Sequence, residues 1–144
     1  MKISSPEFGN MQDIPAKFTC QGEDINPPLK IEDVPEHTES LVLIMDDPDS
    51  PTGTWDHWVV WNIAPSTKEI PEHSKPGVEG MNTWPKLGYG GPCPASGKHR
   101  YVFTLYALDT TLDLPATSTK KDVESEMEHH ILEKTELIGL FEKS

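Results

Sequence analysis

SLVLIMDDPDSPTGTWDHWVVWNIA, residues 40–64, decides the fold class. SLVLIMDD, residues 40–47, is a short apolar run stopped by acids and then by Pro48, the pattern of a strand buried on both faces. HWVVWNIA, residues 57–64, is β-branched and aromatic, and Pro65 ends it because proline cannot donate to a ladder. Pro51 and Gly53 between them reverse the chain, so the segment reads as strand, turn, strand.

Working outward, HRYVFTLYALD, residues 99–109, sets Tyr101, Phe103, Leu105 and Ala107 against Val102, Thr104, Tyr106 and Leu108. Alternation with apolar groups on both sides predicts a long interior strand. Shorter strands are expected at AKFTC, residues 16–20, and LKIED, residues 29–33. Towards the C-terminus the period changes, with Val123, Met127, Ile131, Ile138 and Phe141 at helical spacing. That predicts one amphipathic helix over residues 120–142. Thr119 with Asp122 is its start signal, an acidic variant of the capping box. The 14 prolines and 10 glycines fall between apolar runs, as turn residues do. The expectation is a single, mainly β domain over residues 1–144 with a peripheral C-terminal helix.

At 144 residues a compact chain buries roughly two-thirds of its unfolded surface and needs no staple. The net charge of −12 and the single arginine, Arg100, argue against nucleic acid or an anionic membrane as a bulk electrostatic partner. No run is apolar enough for a signal-peptide core or a membrane span, which makes a cytoplasmic location the expectation. Cys20 and Cys93 suit free thiols in a reducing compartment, and a single bridge between them is left open.

Two segments carry the chemistry. In DDPDSPTGTWDHW, residues 46–58, Asp47 and Asp49 leave one strand and Trp55 and His57 begin the next, two apart and so on one side. In GYGGPCPASGKHRYVF, residues 88–103, Gly90, Gly91 and Pro92 shape a loop before His99 and Tyr101, again two apart. Glycine-rich backbone can aim N–H groups inward as an anion-binding nest. Imidazoles and a phenol would add donors. Each residue also has a plain structural reading: turn acids, hydrogen-bonded histidines and core aromatics. No H-x-x-x-H or paired-cysteine spacing supports a metal, and no cofactor is implied. Ser50 and Ser96 lack a nucleophile-elbow pattern. Asn82 and Trp84 precede the glycine loop and stand as candidates for its entrance, whereas adjacent His129 and His130 make a poor metal pair, with His130 read as packing and His129 as solvated.

DPDSP with WDHW, and GYGGPCP leading to SGKHRYVF, resemble the signature segments of the phosphatidylethanolamine-binding protein family, also known for Raf kinase inhibitor proteins. FTCQGEDINPPL and HHILEKTELIGLF resemble its compact bacterial and archaeal branch. The resemblance implies packed β-sheets in a sandwich with a peripheral helix, and a small pocket for phosphate-like anions or phospholipid head groups. It places Asp47, Asp49, Trp55 and His57 of the first segment and Gly91, Pro92, His99 and Tyr101 of the second at that pocket, which Gly90 joins as a backbone donor. It further implies a non-enzymatic module that modulates a protein partner such as a kinase or protease, with a homodimer left open. The alternative is a hydrolase, metal-assisted or not, using the same acids and histidines.

Overall fold

The computed structural model describes residues 1–144. Its centre is the strand pair read first: β4 (Ser40–Asp47) lies antiparallel between β5 (Trp55–Ile63) and β8 (His99–Leu108). β9 (Ile131–Phe141) flanks β8, the two-residue β2 (Gln12–Asp13) runs parallel to β9, and β7 (Val78–Glu79) closes the other side. The sheet order is β2-β9-β8-β4-β5-β7. β1 (Lys2–Ser4), β3 (Leu29–Glu32) and β6 (Glu69–Ile70) form a second, three-stranded sheet.

At its centre the larger sheet is buried on both sides, which is why β4 and most of β5 read as continuous apolar runs rather than alternating ones. Leu41, Leu43, Met45, Trp58, Val60, Phe103 and Leu105 face the small sheet, meeting Ile3, Leu29 and Ile31 from it. On the other side Val42, Ile44, Val59, Trp61 and Leu108 pack under Val123 and Met127 of α1 (Lys120–Met127).

Three expectations are corrected. The helix stops at Met127, because His129 turns into the left-handed region at φ 68° and the chain continues as β9. Residues 131–141 pair with β8 from His99–Phe141 to Leu108–Ile131. Only the last part of β9 alternates visibly, with Leu137, Gly139 and Phe141 buried, and its Glu and Lys residues favour helix until sheet pairing overrides them. Residues 16–18 form a 3₁₀ turn after Pro15, not a strand, with Phe18 buried. His130 is exposed rather than packed, its Nδ1 2.8 Å from Asp109 Oδ1. The helix start is as read, with Thr119 N–H donating to the Asp122 carboxylate at 3.0 Å. The bridge left open between Cys20 and Cys93 is formed, tying the end of the 3₁₀ turn to the loop before β8.

β5 is bulged. Met45 pairs with Trp58 and Asp46 with Asp56, so His57 is an extra residue on β5. Plain alternation puts Trp58 with Asp56, away from His57. The bulge brings both His57 and Trp58 to the inter-sheet side, while Asp56 stays on the helix side with Asp46.

Candidate functional site

The C-terminal end of β4 and the N-terminal ends of β5 and β8 meet at one end of the large sheet, on its inter-sheet side. There the two signature segments enclose a cavity of about 270 Å³. Asp47, Trp55, His57, His99 and Tyr101 line it, together with Trp84, the turn residues Ser50, Pro51 and Thr52, and the Cys93–Ala95 segment.

Asp47 is buried and fully engaged. Its Oδ1 accepts the Asp49 N–H at 2.8 Å, which tightens the turn, and its Oδ2 accepts from His99 Nδ1 at 2.7 Å. The carboxylate therefore fixes the His99 ring and leaves Nε2 free of any protein partner. His57 is fixed from the other segment, its Nδ1–H donating to the Gly90 carbonyl at 2.7 Å. Burial is the main cause that holds the His57 pKa below its ordinary 6.5, against the opposing effects of Gly90 and Asp47. At neutral pH its Nε2 thus carries a lone pair.

Aromatic edges frame the histidine. The Tyr101 ring stands edge-on to His57 at 5.2 Å and Trp84 at 4.9 Å, while Trp55 meets Trp84 edge-on at 5.5 Å. Trp84 is set by buried Asn82, whose Oδ1 accepts both the Trp84 and Lys86 N–H groups and whose side-chain amide donates to the Gly88 carbonyl. Asn82 thus positions the entrance residue without lining this cavity itself.

Two of the buried polar atoms that lack a well-formed hydrogen bond belong to residues lining the cavity. The Tyr101 hydroxyl is buried close to the Asp47 carboxylate and the Cys93 backbone but makes no well-formed hydrogen bond to either, and Trp55 Nε1 is buried without a partner. Burial, then the nearby Asp47 charge, push the Tyr101 pKa well up, so the phenol stays a donor. A buried donor left without an acceptor costs free energy, and native proteins rarely leave one so.

The glycine loop works differently from the nest expected of it. Gly90 N–H donates to the His57 carbonyl at 2.9 Å and Gly91 N–H to Asp24 Oδ1 at 2.8 Å, so both are spent inside the protein. Neither residue has positive φ. Glycine is required by crowding: a Cβ at Gly90 would stand 2.3 Å from the Trp84 ring. Pro92 lies behind the wall, its carbonyl accepting the Cys20 N–H. Asp49 points away from the cavity, where Arg100 grips its carboxylate through Nε at 3.0 Å and Nη2 at 2.8 Å and holds its pKa down to about 2. Asp47, Trp55, His57, His99 and Tyr101 are therefore brought together, while Asp49, Gly90, Gly91 and Pro92 support the walls from outside. Sequence reading missed Asp24 as the loop's anchor, which no local pattern marks, and passed over Thr52 and Pro94 as wall residues although both lie inside the two segments.

The family model described as phosphatidylethanolamine-binding protein matches residues 4–142. The chain belongs to the phosphatidylethanolamine-binding protein family. Among its relatives, a UPF0098 protein of Pyrococcus horikoshii is 49% identical, the match covering 99% of this chain and 77% of the relative. A UPF0098 protein of Methanothermobacter thermautotrophicus is 45% identical, with 99% of both chains covered. The crystal structure of a family homolog from Chlamydia trachomatis superposes with a TM-score of 0.96 at 41% identity, covering 99% of this chain and 97% of the other. That of YbcL from E. coli gives 0.92 at 26% identity, covering 99% and 98%. The packed sheets and peripheral helix are thus the family's fold. No helix is long and apolar enough to cross a membrane.

Proposed function

We propose that the chain is a non-enzymatic binding module whose cavity takes a phosphate-type anion or a phospholipid head group, and whose occupancy is read by a protein partner. The observation that carries this reading is the pair of buried, unpartnered donors, Tyr101 Oη and Trp55 Nε1, at a cavity also lined by two imidazoles. Oxygen acceptors of a bound anion would satisfy both. The family's name points to the same ligand class.

Hydrolysis has less support. A hydroxyl nucleophile needs an imidazole held against it. Neither Nε2 has a hydroxyl held against it, and the Ser50 hydroxyl lies 3.3 Å from Thr52 Oγ1 rather than against a histidine.

Titration with inorganic phosphate or phosphoethanolamine, followed by the ring signals of His57 and His99, tests the assignment. Both histidines should shift, and Tyr101→Phe should weaken binding about tenfold, the scale of one hydrogen bond to a charged group. Ring signals that stay still at saturating ligand would sink it.

A further inference from the structure

The Cys20–Cys93 disulfide stands where two cavities meet. Cys93 lines the candidate pocket, and both cysteines line a second cavity of about 270 Å³ on the far side of Trp84. Both residues are exposed. Exchange begins with thiolate attack on a disulfide sulfur, and exposed disulfides tend to be the labile or regulatory ones.

What the bond holds matters more than its accessibility. The loop before Cys93 is fastened by hydrogen bonds: Tyr89 hydroxyl to the Phe18 carbonyl at 2.7 Å, Gly91 N–H to Asp24, and Cys20 N–H to the Pro92 carbonyl at 3.1 Å. These stop at Pro92. The Cys93 backbone only approaches the Tyr101 hydroxyl, residues 94–97 make no hydrogen bond to the rest of the protein, and regular pairing resumes only at His99. Yet Cys93, Pro94 and Ala95 are cavity wall. The disulfide is the fastener of that wall, and it stands outside the core that holds the sheets together.

We propose that this disulfide is a reversible redox latch on the pocket. A dithiol opens it, which releases the 93–97 wall and, on the anion-binding reading above, lowers affinity for the anion. One reductant thiolate attacks a cysteine sulfur, forming a mixed disulfide and releasing the other cysteine as a thiolate that takes up a proton. The second reductant thiol then displaces the remaining cysteine. The protein gains two electrons and two protons, and the reductant leaves as its own disulfide.

The experiment compares the whole chain before and after dithiothreitol at one pH, reading thiol content, near-ultraviolet circular dichroism, the His57 and His99 ring signals, and phosphate affinity. Two thiols should appear with the fold retained. The ring signals should move, phosphate affinity should fall about tenfold, and reoxidation should restore all of these. The double variant Cys20→Ser, Cys93→Ser should reproduce the reduced state without reductant. The latch is overturned by a disulfide that stays closed in the folded protein, by unfolding on reduction, by ring signals identical in both states, or by equal phosphate affinity in both. Ring signals that move while neither state binds phosphate would support the latch and remove the anion assignment instead.

Discussion

Asp46 and Asp47 are neighbours at the end of β4, yet they face opposite sides of the sheet and meet different surroundings. Asp46 lies on the helix side with Asp56, its cross-strand partner, and Lys120 Nζ sits 2.8 Å from one and 3.6 Å from the other. Burial is the largest influence on Asp56 and raises its pKa, with Lys120 opposing it. That cluster closes on itself. Asp47 lies on the inter-sheet side, where it orients His99, and beside it two donors remain without acceptors. The helix side is the richer in acids, with Asp46 and Asp56 against Asp47 alone, so the number of acids does not mark the site. Each side leaves a buried donor unpaired, Trp61 Nε1 on the helix side and Tyr101 Oη with Trp55 Nε1 on the other, but only the latter two belong to residues that line the candidate cavity.

Removing each acid in turn gives the largest contrast. Asp47→Ala deletes two hydrogen-bond acceptor sites in a buried setting and should cost about 3 kcal/mol. Asp46→Ala leaves Lys120 with Asp56 in a partly solvated setting and should cost about 1 kcal/mol. Urea unfolding midpoints measure both, and equal costs would break the comparison. A smaller effect of opposite sign is expected of Tyr101→Phe, which removes an unsatisfied buried hydroxyl. Stability should hold or rise by about 1 kcal/mol even as phosphate binding weakens. A loss of stability would mean that the hydroxyl already has a partner.

The smallest effect is that of pH. Because the His57 pKa is lowered in the folded state, the unfolded chain takes up its proton first as pH falls below about 6.5. Stability should therefore decline from that pH downwards, and stop declining on this account once the folded protein is also protonated. Phosphate affinity should move the other way, since protonation turns His57 Nε2 from an acceptor into a donor. Thermal unfolding and phosphate titration over pH 5–8 compare the two trends. Parallel trends would show that His57 does not face the anion.

The central strands were legible because β4 and most of β5 are buried on both faces and announce themselves by apolar content, while β8 alternates buried with half-buried residues that are themselves largely apolar. β9 was not, because much of its outward row is solvated and its Glu and Lys residues suit a helix equally well. At the site, Asp47, Trp55, His57, His99 and Tyr101 could be named because spacing of two at a strand end sends side chains to one side. The role of Gly90 and Gly91 could not. Whether a glycine serves φ, donors or clearance depends on what lies across from it, here the Trp84 ring and Asp24, both distant in sequence or brought near only by folding. The disulfide was undecided for the same reason, as 73 residues separate its cysteines.

The bulge in β5 has a consequence for how this site could be acquired. His57 is the residue without a cross-strand partner between Trp58 and Asp56. A strand lacking it could keep Met45 opposite Trp58 and Asp47 opposite Trp55, while losing the two hydrogen bonds to Gly90 and the contacts with Tyr101 and Trp84. The site could thus take on an imidazole by bulging one strand, while the pairing on either side of it keeps its register.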